Sequence, residues 1–316
     1  MSVEDEVRLA TKFERGDGVP RDPAQAAYWF QRAADHGHPE AQNELGCLYF
    51  WGHGVERNPE QSARWFTRAV GGGSQKAKLN LAVLYLGGFG VPQDPKFAHD
   101  LLLQLAEKGM PRAELYLGVL YSNGLGVAPD RSLGERWFRK AAKHKSPEAQ
   151  YAMGMFYSRT AGHAHDLKEA ADYLRRSARA GYPPAMQALG VLLIEHPELE
   201  SKGGGGGLAY LMRAAESGFW RASAALGILE RDGHDGAPNP GKAFRWFTIA
   251  LRQGGQAAER LLTGDLSRCR SLLSAEDEAR STMAADRWLL SHPATEPQPV
   301  LDASTLLPFK EPELPR

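Results

Sequence analysis

Three groups of residues carry side chains whose types and spacing could do chemistry. The first is a glycine run, Gly203–Gly207, which invites comparison with phosphate-cradling loops. A P-loop needs lysine and then serine or threonine after its glycines, and here the nearest lysine, Lys202, precedes them. The second group is rich in histidine: His163, His165 and Asp166 lie close together, and His36 lies beside His38. Such spacing can ligate a metal, but no other ligand-rich segment accompanies either cluster, so solvated loops are expected and no metal or other cofactor is assigned. The third group is cationic. Arg32, Arg68, Lys140, Arg176 and Arg213 recur at one interval, with Gln104 and Ile249 in the remaining places, and Arg139 and Arg175 precede two of them. Guanidinium forks suit carboxylates, so this series is the candidate partner-binding set. Tyr28, Arg64, Arg136 and Arg245, one position before an aromatic series, are weaker candidates.

The interval that orders the cations runs through the whole chain. Tyr49, Tyr85, Tyr121 and Tyr157 are each 36 residues apart. Trp29, Trp65, Leu101, Trp137 and Tyr173 keep that step, and Tyr210 and Trp246 resume it after one inserted residue. Ala41, Ala77, Ala113, Ala149, Ala185, Ala222 and Ala258 form a third series in phase. Such phase-locking is the mark of a repeat protein.

Each copy reads as two helices. The first carries Trp29, Phe30, Ala33 and Ala34 at helical spacing and stops at Gly37, a place filled again by Gly73, Gly109, Gly181, Gly218 and Gly254, with Lys145 the exception. The second opens at proline in several copies (Pro39, Pro111, Pro147, Pro183) and buries Leu45, Leu48 and Tyr49. Its Gly46, with Gly118, Gly154, Gly190 and Gly227, leaves room for a neighbouring helix, and Ala82 keeps that position small. A G-x-G-V turn follows, and Asp22, Asn58, Asp94, Asp130 and Asp166 are placed to cap the next first helix. Cys47 falls on a buried stripe and is expected in the core.

The stretch "AAYWFQRAADHGHPEAQNELGCLYFWGHGVERN" resembles the Sel1-like repeat family, a relative of the tetratricopeptide repeat, and the resemblance covers about residues 1–265. It implies an all-α fold: a right-handed α/α superhelical solenoid of about seven repeats with a concave groove. It also implies a non-enzymatic adaptor that binds a partner protein or acidic peptide there, with Arg32, Arg68, Arg139, Lys140, Arg175, Arg176 and Arg213 as its basic stripe. Two alternatives stand beside it: an immunity protein that neutralises a secreted bacterial toxin, and a secreted effector that engages a host protein. A few relatives are associated with β-lactam binding, but no S-x-x-K motif is present, and catalysis is not expected.

Composition narrows the partners. Lysine plus arginine equals aspartate plus glutamate at 38 each, so neither nucleic acid nor an anionic membrane surface is expected, and no small-molecule substrate is evident. The apolar runs are too short to span a bilayer, and the first residues lack the order of a signal peptide. A cytoplasmic protein is expected, with secretion by a signal-independent route left open. The array is expected over residues 1–272, opening on a half repeat at 1–22, with a capping helix at 273–291 and a proline-rich, disordered tail at 292–316. Met283, Trp288 and Leu289 are expected to cover the last repeat. The glycine run falls at the start of the sixth repeat's first helix, where glycine costs about 1 kcal/mol per helical residue, so a frayed start and a soft joint are expected there.

Overall fold

The structure is a computed structural model that describes residues 1–159, 164–200, 206–234 and 236–292. Every regular element among them is helical. The described residues divide into two compact units, 1–144 and 145–292. The first unit holds a lone helix, α1 (Val3–Arg15), then α2 (Pro23–Asp35), α3 (Pro39–Trp51), α4 (Pro59–Gly71), α5 (Gln75–Gly87), α6 (Pro95–Glu107), α7 (Pro111–Asn123) and α8 (Arg131–Lys143). The second holds α9 (Pro147–Ser158), α10 (Ala164–Arg179), α11 (Pro183–Glu195), a 3-10 turn (Pro197–Leu199), α12 (Gly206–Glu216), α13 (Trp220–Asp232), α14 (Pro240–Arg270) and α15 (Ala275–Ser291). No described helix is long and apolar enough to cross a membrane.

Local chemistry sets the helix ends. Asp22 accepts from the N–H groups of Ala24 and Gln25, and Asn58, Asp94 and Asp130 each cap the N–H three residues on, at 3.0, 2.9 and 2.9 Å. Such caps contribute about 1 kcal/mol each. The backbone N–H of each cap also donates to the preceding second helix: Asn58 to the Tyr49 carbonyl at 2.7 Å, Asp94 to Tyr85 at 2.9 Å and Asp130 to Tyr121 at 2.8 Å. These bonds tie the cap series to the tyrosine series at one fixed offset. Asp166 departs from the pattern. α10 begins at Ala164, so Asp166 lies inside its first turn, where a carboxylate still favours the helix N-terminus.

The helix stops follow the same logic. Gly37, Gly73, Gly109, Gly181 and Gly218 adopt φ between +77° and +90°, and Lys145, in the same place, takes φ +58° despite its side chain. Gly254 differs from its expected role. It is helical and packs on Trp220, and the turn moves to Gly255 (φ +52°, ψ −137°) inside α14. In the G-x-G-V turns the second glycine folds back on the preceding first helix. A Cβ at Gly90 (φ +67°) would strike the backbone carbonyl of Pro59.

The core is a run of alanines and large apolar residues on facing helices. In the first repeat Ala26, Ala33, Phe30, Ala41 and Leu45 are essentially inaccessible, Leu48 is buried and Tyr49 is half-buried. In the second unit one apolar cluster runs from Tyr151 to Ala285, passing through Leu189 and Leu192 of α11 and Leu211 and Ala214 of α12. α12 begins at Gly206 and is packed into this cluster. Gly203–Gly205, most of the run where the frayed start and soft joint are expected, lie outside the described residues. Gly207 is buried and lies so close to α11 that a Cβ would stand 2.5 Å from the Gly190 carbonyl oxygen, so its lack of a side chain serves a close approach.

At the far end Ser274 accepts from the Asp277 N–H at 3.1 Å and starts α15. Trp288 meets Trp246 edge-on at 5.5 Å, and Leu289 packs beside it. Met283, expected to cover the last repeat, is 64% exposed instead, because it lies on the opposite face of α15 from Ala285 and Trp288. The tail expected at 292–316 lies, beyond His292, outside the described residues. Two substitutions follow from the turns. Gly90→Ala should lose about 2 kcal/mol or more, from positive φ plus the backbone clash, and Lys145→Gly should gain about 1 kcal/mol, both read by urea denaturation.

Candidate functional site

The cation series stands on a series of aromatic platforms. Each cation follows the ring residue by three positions, one turn on the same helix face. The guanidinium carbons of Arg32, Arg68, Arg176 and Arg213 lie 5.2, 4.6, 5.1 and 5.9 Å from the ring centroids of Trp29, Trp65, Tyr173 and Tyr210. The Lys140 ammonium lies 5.0 Å from Trp137. Exposed pairs of this kind contribute about 0.5–1 kcal/mol and hold a flexible cation in one place.

The members of the series then separate by what else they meet. Glu6 of α1 is 1% exposed and is held by Arg32 Nη2 at 2.9 Å and His36 Nδ1 at 3.3 Å. Glu114 of α7 is 0% exposed and is held by Lys140 Nζ at 2.9 Å and His144 Nε2 at 3.3 Å. The two sites are copies of one arrangement: a buried carboxylate with a cation 26 residues on and a histidine 30 residues on. A buried carboxylate loses its hydration, and a cation drawn over it offsets that cost. The third repeat inverts the pairing. Lys78 of α5 donates to Gln104 of α6 at 3.0 Å, which accounts for the gap in the basic series at Gln104.

Arg139 pairs with Glu135 along its own helix at 2.5 Å. Arg175 is only 14% exposed at its side chain, pairs with Asp172 at 2.9 Å and donates to the Leu199 carbonyl, tying down the 3-10 turn. Arg32, Lys140, Arg139 and Arg175 are therefore engaged within the fold. Among the described residues Arg68 in the first unit, and Arg176 and Arg213 in the second, meet no carboxylate and are exposed. Sequence reasoning missed Glu6 and Glu114, although their spacing to Arg32/His36 and Lys140/His144 is the same and was there to be read. Of the weaker candidates, Arg64 lines a shallow groove of about 450 Å³ with Arg68 and Thr67.

The other sequence candidates take structural roles. His36 serves Glu6, and the His38 ring accepts from the Ala41 N–H at 3.2 Å, capping α3. His163 and the His165 side chain lie outside the described residues. Among the described residues no three His, Cys, Asp or Glu side chains gather in a metal-holding group. Burial pushes the Cys47 thiol far up, with Glu44 and Glu14 adding to it, and burial also raises Cys269. Both are poor nucleophiles, because the thiolate is the reactive form. The buried pairs carry an asymmetric prediction. Lys140→Met leaves the buried Glu114 carboxylate with His144 alone and should cost about 3 kcal/mol in urea denaturation, whereas Glu114→Met leaves a half-exposed lysine and should cost about 1 kcal/mol or less.

Comparison with known proteins identifies the repeat. The Sel1 repeat pattern matches residues 5–38, 39–74, 75–110, 111–146, 147–182 and 220–255. The unmatched stretch between the last two contains the glycine run, and it still folds as the pair α11 and α12. A Sel1 repeat protein from Oxalobacter formigenes is similar over 79% of this chain and 99% of its own, at 26% identity and a TM-score of 0.62. A protective antigen of uropathogenic Escherichia coli with an SLR fold is similar over 92% and 69%, at 24% identity and a TM-score of 0.47. An immunity protein from Pseudomonas aeruginosa is similar over 79% and 81%, at 18% identity and a TM-score of 0.39. No curated protein matches the sequence. By the extent of the repeat match, the chain belongs to the Sel1 repeat family, whose members are protein-interaction scaffolds.

Proposed function

We propose that this chain is a non-enzymatic scaffold that binds an acidic segment of a partner protein through the first helices of its repeats. The family is typically non-catalytic, and Sel1 repeat proteins bind other proteins. One observation carries the finer reading. Arg68, Arg176 and Arg213 are exposed, are each positioned over an aromatic ring, and meet no carboxylate among the described residues. A guanidinium stacked on a ring has already lost much of its rotamer freedom, so it gives up less on binding. Its donor fork still faces water and matches a carboxylate in two parallel hydrogen bonds. Within the first unit Arg32 and Lys140 are held by Glu6 and Glu114 and add little net charge.

The arrangement sets an order among the cations that a plain basic stripe does not. Selection of displayed random peptides on the full chain should enrich sequences rich in aspartate and glutamate. Their affinity should fall about tenfold or more in Arg176→Glu/Arg213→Glu and change little in Arg139→Glu, whose side chain already pairs on its own helix. Enrichment of neutral peptides indifferent to both variants would contradict the proposal.

A further inference from the structure

The second unit contains a cavity of about 420 Å³ between α12, α13 and α14. Its apolar side is made by Leu208 and Met212 of α12, Leu226 and Leu229 of α13, and Trp246 of α14. Met212 stands on a place in the repeat where Gln31, Thr67, Arg139, Arg175 and Thr248 are polar, and Leu103 is the other apolar occupant. Its half-buried side chain packs against the core cluster of the second unit and lines this opening.

The rim is charged. Glu230 is answered by Lys242 at 3.6 Å. Among the described residues Arg245 meets no carboxylate. Its Nε is buried with no hydrogen-bond acceptor among them, and its guanidinium carbon lies 5.1 Å from the Trp246 ring centroid. A buried donor without an acceptor is costly, and a carboxylate placed there would gain a charge-assisted bond. The cavity therefore offers an apolar floor beside a cation that meets no carboxylate among the described residues, and its size falls in the range of sites that enclose small ligand groups.

We propose that this cavity is the anchor site for the acidic partner: it takes a leucine, methionine or phenylalanine side chain, while an adjacent aspartate or glutamate of the same peptide pairs with Arg245. This assignment rests on the scaffold reading above and deepens it. Charge complementarity argues for an acidic peptide over a second copy of this chain, since the rim group without a counter-ion among the described residues is a cation.

The probe is the blocked peptide acetyl-Gly-Ser-Leu-Glu-Gly-Ser-amide, titrated into the full chain while the Met212 methyl and the Trp246 indole are followed by NMR. Saturable shifts at both are expected. Peptides with serine for the leucine, or glutamine for the glutamate, should bind about tenfold more weakly. In Arg245→Gln the preference for glutamate over glutamine should vanish, with the leucine preference kept. The Arg176→Glu/Arg213→Glu chain should still bind this short peptide at the cavity. Equal binding of all three peptides, or shifts confined to Tyr173 and Tyr210, would overturn the cavity assignment and leave the scaffold reading standing. Concentration-dependent dimerisation that shields Met212 from the peptide would overturn it in favour of a second copy. Failure of acidic peptides to enrich on the chain at all would instead sink the scaffold reading.

Discussion

The separation between each second helix and the first helix that follows it is governed by one small residue. A Cβ at Gly46 would come within 2.6 Å of the Phe66 ring, one at Gly118 within 2.5 Å of Phe138, and one at Gly227 within 2.6 Å of Phe247. The ring thus sits directly on the helix backbone, and the phase of the repeat is set by that contact. Close packing has a consequence one turn earlier on the second helix. Glu114, four residues before Gly118, faces the next helix with no access to water. A carboxylate in that place requires a cation from the following helix, and Lys140 supplies it.

This constraint gives the basic series two different meanings. Where the second helix presents glutamate, the cation three residues after the aromatic is a structural counter-ion, as at Arg32 and Lys140. Where the same place holds Gln150 or Met186, the matching cations Arg176 and Arg213 meet their aromatic rings and no carboxylate among the described residues, and they are exposed. Surface charge read along one rung overstates the binding surface. Read together with the rung it faces, the same charge separates fold from function.

Much of the architecture was legible because it is local. Caps at Asp22, Asn58, Asp94 and Asp130, and stops at Gly37 and its equivalents, depend on a few consecutive residues, and the structure places them as expected. Three local readings missed. Asp166 is within α10 because that helix starts earlier, Gly254 hands its turn to Gly255 because it packs on Trp220, and Met283 points away because the face of α15 is set by Ala285 and Trp288. The pairings Glu6–Arg32 and Glu114–Lys140 lie across two helices, so a rung-by-rung reading does not reach them. One role within the glycine run stayed hidden for a related reason. The run's helical cost is local, but the role of Gly207 is an approach to Gly190 that only the packed helices reveal.

The claim that the cations divide by what the preceding helix presents is tested most directly by two double-mutant cycles in denaturant unfolding. One pairs Glu114 with Lys140, the other Gln150 with Arg176, using alanine or methionine at each position. The account predicts a coupling of about 1–3 kcal/mol for the first pair and less than about 0.5 kcal/mol for the second. Equal couplings in the two cycles would contradict it.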